Sequence, residues 1–209
     1  IQFKVSVWSG DNQDYLSSEK IVVNVKNSTL LFGVVSEDLT LYPDKEYLVT
    51  DNLAFVGDAT LYINPGVTLK FSDSKEMSFK DNSRIIAIGT KNSFIHFVPE
   101  NLYWGGINFS SNGLASQIKF SIISGYSSQY GIRGNNNLKI TKSIVSDFAT
   151  YFIPIAEIDV SESNIINGAN GYYGSGLNNS NFVRNRSSVD LWGLCCHGFL
   201  YPEMAAGNN

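Results

Sequence analysis

Phe120-Ser-Ile-Ile-Ser-Gly125, Lys142-Ser-Ile-Val-Ser-Asp147, Ser163-Asn-Ile-Ile-Asn-Gly168 and Ser180-Asn-Phe-Val-Arg-Asn185 are four versions of one short phrase. They recur at offsets of about 22, 21 and 17 residues, the length of one coil of a β-solenoid. Stacked, they give two apolar columns: Ile122, Ile144, Ile165 and Phe182, then Ile123, Val145, Ile166 and Val183. Beside these run Ser121, Ser143, Asn164 and Asn181, and a turn-like column of Gly125, Asp147, Gly168 and Asn185. Leu138-Lys-Ile140 and Ile158-Asp-Val160 pair best at an offset of 20, so the register stays open by one residue in places. One such coil cannot bury its inward residues alone. Stacking at ~4.8 Å turns each apolar column into a continuous core. Small polar side chains at a bend then hydrogen-bond to the coils above and below.

Working outward, the same texture begins near Asp38. Short β-type runs alternate with Asn, Gly, Asp and Ser, and no stretch sustains a helical period. Strands are expected at Tyr47–Val49, Leu53–Val56, Thr60–Ile63, Val67–Phe71, Ile85–Ile88 and Phe94–Phe97. Such spacing alone fits a sandwich, a barrel or a solenoid, and the internal repetition selects the solenoid.

Ala59-Thr-Leu-Tyr-Ile-Asn-Pro-Gly-Val-Thr-Leu-Lys-Phe71 resembles the opening coils of the right-handed parallel β-helix repeat proteins of pectate-lyase-like shape. Its Pro65-Gly66 step suits a tight turn between two short strands. Tyr103-Trp-Gly-Gly-Ile-Asn-Phe109 is similar to the strand entry that follows in that family, and the downstream repeats match its coils. The resemblance covers residues 38–185 and implies an all-β fold, a right-handed parallel β-helix.

Three regions follow. Residues 1–30 read as a β-hairpin, because Ile1–Val7 and Ile21–Val25 alternate around the turn formers Ser9–Asp14; this is either the end of an immunoglobulin-like or cadherin-like module or a cap on the next fold. The cluster Asp11–Asp14 lacks the alternating ligand spacing of an EF-hand loop and reads as that turn. Residues 31–186 are the β-helix. Residues 187–209 break the repeat, yet Leu191–Leu194 and Phe199–Tyr201 are apolar, as expected of a cap or docking segment over an otherwise open solenoid end.

Charged residues are only 16% of the 209, well under the roughly 25% of an ordinary domain, and the net charge is −4. Without a Lys/Arg cluster there is no footprint for nucleic acid. The apolar runs fall far short of the ~18 residues of a membrane span. The chain starts at Ile1, which reads as a mature fragment of an extracellular or cell-surface protein. Cys195 and Cys196 are adjacent, and with His197 they do not complete a metal site; two packed thiols are expected, with no metal and no cofactor.

Members of the family divide into polysaccharide lyases and hydrolases on one side and adhesive or structural modules on the other, and the fold cannot choose. Hydrolysis needs two carboxylates flanking a glycosidic bond. Asp147 falls in the turn column, and Glu157 and Asp159 open a coil as ordinary exposed side chains. A lyase needs a cation and a Lys or Arg base. Arg133, Lys139, Lys142, Arg184 and Arg186 have no carboxylate cluster one or two coils away. His96, in Phe94-Ile-His-Phe97, reads as a face-exposed strand residue. No catalytic residue is assigned. Tyr103, Trp104, Tyr126, Tyr130, Tyr151, Tyr172 and Tyr173, with Phe152, recur near turns, where ring faces stack on sugars; the competing reading packs them along coil edges. The expectation is therefore a non-enzymatic structural or adhesive module. Its partners are subunits or domains of a surface assembly, with glycans as a further ligand. The alternative is a polysaccharide-active or glycan-binding β-helix.

Overall fold

The computed structural model describes residues 28–110, 114–127, 131–134, 138–147, 158–166, 177–178 and 181–183. Its strands in chain order begin with β1 (Ser28–Val35), β2 (Leu39–Leu41), β3 (Glu46–Phe55), β4 (Thr60–Ile63), β5 (Thr68–Phe71) and β6 (Glu76–Phe79). Next come β7 (Arg84–Ile88), β8 (Ile95–Pro99), β9 (Gly106–Phe109), β10 (Ser116–Lys119), β11 (Ser121–Ser124) and β12 (Ile132–Gly134). The series closes with β13 (Leu138–Thr141), β14 (Ile144–Ser146), β15 (Ile158–Ser161), β16 (Asn164–Ile166), β17 (Leu177–Asn178) and β18 (Asn181–Val183). Among the described residues there is no helix.

Every strand pair is parallel. Parallel neighbours need a long return path, and here that path is the rest of the turn. One seven-stranded sheet runs β2-β4-β7-β10-β13-β15-β17. The other sheet splits into two wings because β3 serves both: its first half pairs with β5 and its second half with β6. One wing continues β5-β8-β11-β14-β16-β18, and the second continues β6-β9-β12. The chain thus circulates past three faces, and the architecture is a parallel β-helix.

Inward columns fill the interior. Leu41, Ile63, Ala87, Ile118 and Ile140 lie in register up the seven-stranded sheet, and all are buried. Tyr47, Leu69, Phe97, Ile123 and Val145 do the same on one wing. On the second wing Phe55, Phe79 and Phe109 stack ring on ring at 5.1 Å and 5.1 Å. Each stacked pair adds about 0.5–1.5 kcal/mol to the burial of its area.

The corners follow from local chemistry. Asn64-Pro65-Gly66-Val67 forms the tight turn read from the sequence: Val67 N–H donates to Asn64 O at 3.3 Å, and Gly66 has φ 85°. Phe120, Lys142 and Glu162 turn the corner into β11, β14 and β16 with φ of 48°, 53° and 50°. The serine after each is buried and stabilises the bend. Ser121 Oγ donates to Lys119 O, Ser143 Oγ to Thr141 O and Ser163 Oγ to Ser161 O. Their hydroxyl oxygens also link turns, because Ser121 N–H donates to Ser143 Oγ at 3.1 Å and Ser143 N–H to Ser163 Oγ at 3.2 Å.

This ladder corrects the register of the third repeat. Ile144 lies opposite Asn164 and Val145 opposite Ile165, one residue away from the columns expected. The serine column is Ser121, Ser143 and Ser163, so the offset of 20 seen between Leu138 and Ile158 holds on both faces. Ser163 takes the inward place one residue past the left-handed corner, where its hydroxyl donates to the Ser161 carbonyl. Gly125 and Asp147 do share a turn column, with φ of 72° and 54°. Asn185 and Gly168 lie outside the described residues, as do most of the expected hairpin and the whole of the C-terminal segment.

Candidate functional site

The candidate sugar-stacking rings part company. Trp104 and Tyr126 are completely buried, so neither offers a face to a saccharide. Trp104 stacks on Phe71 at 4.0 Å and meets Tyr126 edge-on at 6.3 Å, and its Nε1–H donates to Ser124 O at 2.7 Å. Burial pushes the Tyr126 hydroxyl pKa well above its usual value. The sequence signal was in the neighbouring glycines. A Cβ on Gly106, which has φ 89°, would run into the Gly131 carbonyl, and one on Gly131 would enter the Tyr126 ring. Successive turns therefore close tightly around the Tyr126 ring, against which Trp104 packs edge-on.

Tyr103 is different, with 45% of its surface exposed beside the more exposed Leu102. Its loop between β8 and β9 is tied to the turn below: Ser74 N–H donates to Tyr103 O at 2.9 Å, and Gly105 N–H to Lys75 O at 2.7 Å. Tyr130, Tyr151, Phe152, Tyr172 and Tyr173 lie outside the described residues. So do Glu157, Arg184, Arg186, Asp11–Asp14, Cys195, Cys196 and His197.

Seven acidic side chains of the described residues act as struts between turns. Asp38 accepts from Thr60 N–H at 2.7 Å, and Asp81 from Gly57 N–H at 3.0 Å. Asp58 accepts from Asn82 Nδ2 at 2.9 Å, Asp73 from Leu102 N–H at 3.3 Å, and Glu100 from Ser72 Oγ at 2.9 Å. Glu76 pairs with Arg133 at 3.3 Å, and Asp51 pairs with Lys75 at 2.9 Å. The Lys75 ammonium bonded to Asp51, helped by the Asn52 N–H, holds that carboxyl below the usual carboxylate range. Each partner sits on the next turn or beyond. An acid used this way has its lone pairs engaged by a backbone N–H, a cation or a polar side chain of another turn.

The remaining sequence candidates are equally occupied or scattered. Asp147 turns a corner, and Asp159 lies opposite Lys139 in the β13–β15 register. Lys142 pairs with Glu162 at 3.3 Å and sits 5.9 Å from the centre of the Phe120 ring. His96 is half-buried, as a strand residue opposite Thr68 and Ile122. Among the described residues no three His, Cys, Asp or Glu side chains gather as a metal would require, and no helix is long and apolar enough to cross a membrane.

A feature that sequence reading missed is the outer edge of β1. Leu30, Phe32 and Val34 are all exposed on a strand whose one described neighbour is β3. No family model, curated protein or solved structure matches this chain.

Proposed function

We propose that the chain is a non-enzymatic β-helix module, a structural or adhesive element of a larger extracellular surface or fibre-forming protein. We take its winding as right-handed, the hand of nearly all parallel β–crossover–β connections. The observation that carries the reading is the use of the carboxylates. Among the described residues Asp38, Asp51, Asp58, Asp73, Glu76, Asp81 and Glu100 each bridge toward another turn, so these seven carboxylates are spread along the solenoid and not gathered in one cleft. Glycosidic chemistry requires two carboxylates facing each other across one sugar, whereas each of these acids is bonded to a group on another turn.

A glycan-binding role is the second reading, and Tyr103 favours it. Its exposed ring lies on the corner that also carries Asp51, Lys75, Glu76 and Arg133, where polar groups could read hydroxyls beside a stacked sugar.

The deciding experiment is a glycan-array screen of the full chain, with mass spectrometry of every bound glycan. No cleavage is expected on any glycan. Binding that is lost in Tyr103→Ala selects adhesion, and no binding at all selects a purely structural role. Cleavage products would overturn the proposal.

A further inference from the structure

One corner of the winding grows from turn to turn. Leu31, Val49, Phe71 and Pro99 lie in register on one wing, and Gly33, Leu53, Met77 and Ile107 on the next. Between these two columns lie Phe32 alone, then residues 50–52, 72–76 and 100–106, so each turn inserts two residues more than the one before. The columns stay stacked at ~4.8 Å, which leaves the added residues only an outward path. The corner is therefore a stepped ledge. Its widest step carries Leu102, 71% exposed, and Tyr103, 45% exposed.

Each step is fastened to the one below. Glu76 N–H donates to Asn52 Oδ1 at 3.1 Å, and Lys75 Nζ to Asp51 Oδ1 at 2.9 Å. Leu102 N–H donates to Asp73 Oδ1, Ser74 N–H to Tyr103 O and Gly105 N–H to Lys75 O. On the other side, buried Trp104 anchors the same segment: its N–H donates to Gly125 O at 3.1 Å, and its O accepts from Ser127 N–H at 2.8 Å. Tyr103 is thus presented on backbone fixed from both sides, which lowers the ordering entropy that binding must overcome. Its described surroundings are polar, with Asn52, Ser74 and Asn101 exposed. Two apolar side chains in such a rim fall far short of the ~800 Å² per partner of a protein interface. They suit one sugar stacked on one aromatic ring, with amides and hydroxyls beside it. Charge narrows the class. The ledge carries Asp51, Asp73, Glu76 and Glu100 against Lys75 and Arg133, and those two cations are in ion pairs with Asp51 and Glu76. An anionic sugar would meet surplus negative charge.

We propose, resting on the glycan-binding reading, that this ledge binds a neutral polysaccharide, with Tyr103 as the stacking ring and Leu102 beside it, and that it excludes anionic glycans.

The test is affinity electrophoresis of the full chain in gels that contain a neutral polymer (xyloglucan, galactomannan or mixed-linkage β-glucan) or an anionic one (polygalacturonate or heparin). Retardation is expected with at least one neutral polymer and with neither anionic one. Tyr103→Ala should weaken that retention about tenfold, whereas Tyr103→Phe should hold it within about twofold, because the ring and not its hydroxyl makes the contact. Leu102→Ser should weaken it about threefold. All three positions of change are exposed, so thermal unfolding should stay within about 2 °C of the unsubstituted chain. Preferential retention by an anionic polymer, or neutral binding that survives both Tyr103→Ala and Leu102→Ser, would overturn the ledge assignment while glycan binding stands. Retention by no polymer would overturn both.

Discussion

Ser143 shows how much a single hydroxyl does in this fold. It donates to Thr141 O and accepts from Ser121 N–H, both within a buried corner. Ser143→Ala removes both bonds, leaving Thr141 O with the Phe120 N–H alone and the buried Ser121 N–H without this acceptor, and is expected to cost about 1–3 kcal/mol in urea unfolding, with m unchanged. Gly106→Ala should cost more, about 3 kcal/mol or beyond, because the new methyl meets the Gly131 backbone at a φ of 89°. Tyr126 links a residue to pH. Its folded-state pKa is raised by burial, so its contribution is fully present below the unfolded value of about 10 and is lost as pH rises from there toward the folded value. Alkaline unfolding should therefore steepen above about pH 10, and Tyr126→Phe should remove part of that slope. These residues were only partly legible beforehand. Asn-Ile-Ile-Asn at 164–167 reads equally well in two registers because both isoleucines are apolar. Trp104 and Tyr126 look like surface rings until the glycines of neighbouring turns are placed against them.

At the scale of elements, the stacked wing β3-β6-β9 concentrates its apolar energy in one ring column. Phe79 lies between Phe55 and Phe109, touching both at 5.1 Å. Phe79→Ala removes both stacks and opens a cavity that two rigid neighbours cannot close, so a loss of about 3–5 kcal/mol is expected by chemical denaturation. Phe79→Leu refills most of the volume without the stacking and should cost roughly half as much. Alternation within strands was legible from the start, since the inward members of β4, β5, β7 and β8 are the apolar ones. That the runs around Tyr47 and Leu53 would merge into the single bent strand β3 was not. The bend follows from β3 having to pair with β5 on one wing and β6 on another.

Across the described residues, every strand pairs only with the turns next to it, with the Glu76–Arg133 ion pair reaching one turn further, so stability is largely a sum of turn-to-turn contacts. Native-state hydrogen exchange should then fall off along the axis. Amides of β5, β7 and β8, flanked on both sides, are expected to exchange more slowly than those of β17 by roughly two orders of magnitude; uniform protection would mean a single cooperative block instead. The sequence by itself determined that the chain is a parallel β-solenoid, because only stacked turns give recurring apolar columns and a recurring serine their joint meaning. It also determined which faces of the strands point inward, since burial and pleat share a period of two. Tertiary structure alone decided the register of the third repeat, the burial of Trp104 and Tyr126, and the tying of the acids between turns. Each of these depends on which residue of the next turn comes alongside, and turn lengths in this chain vary too much for spacing to set it.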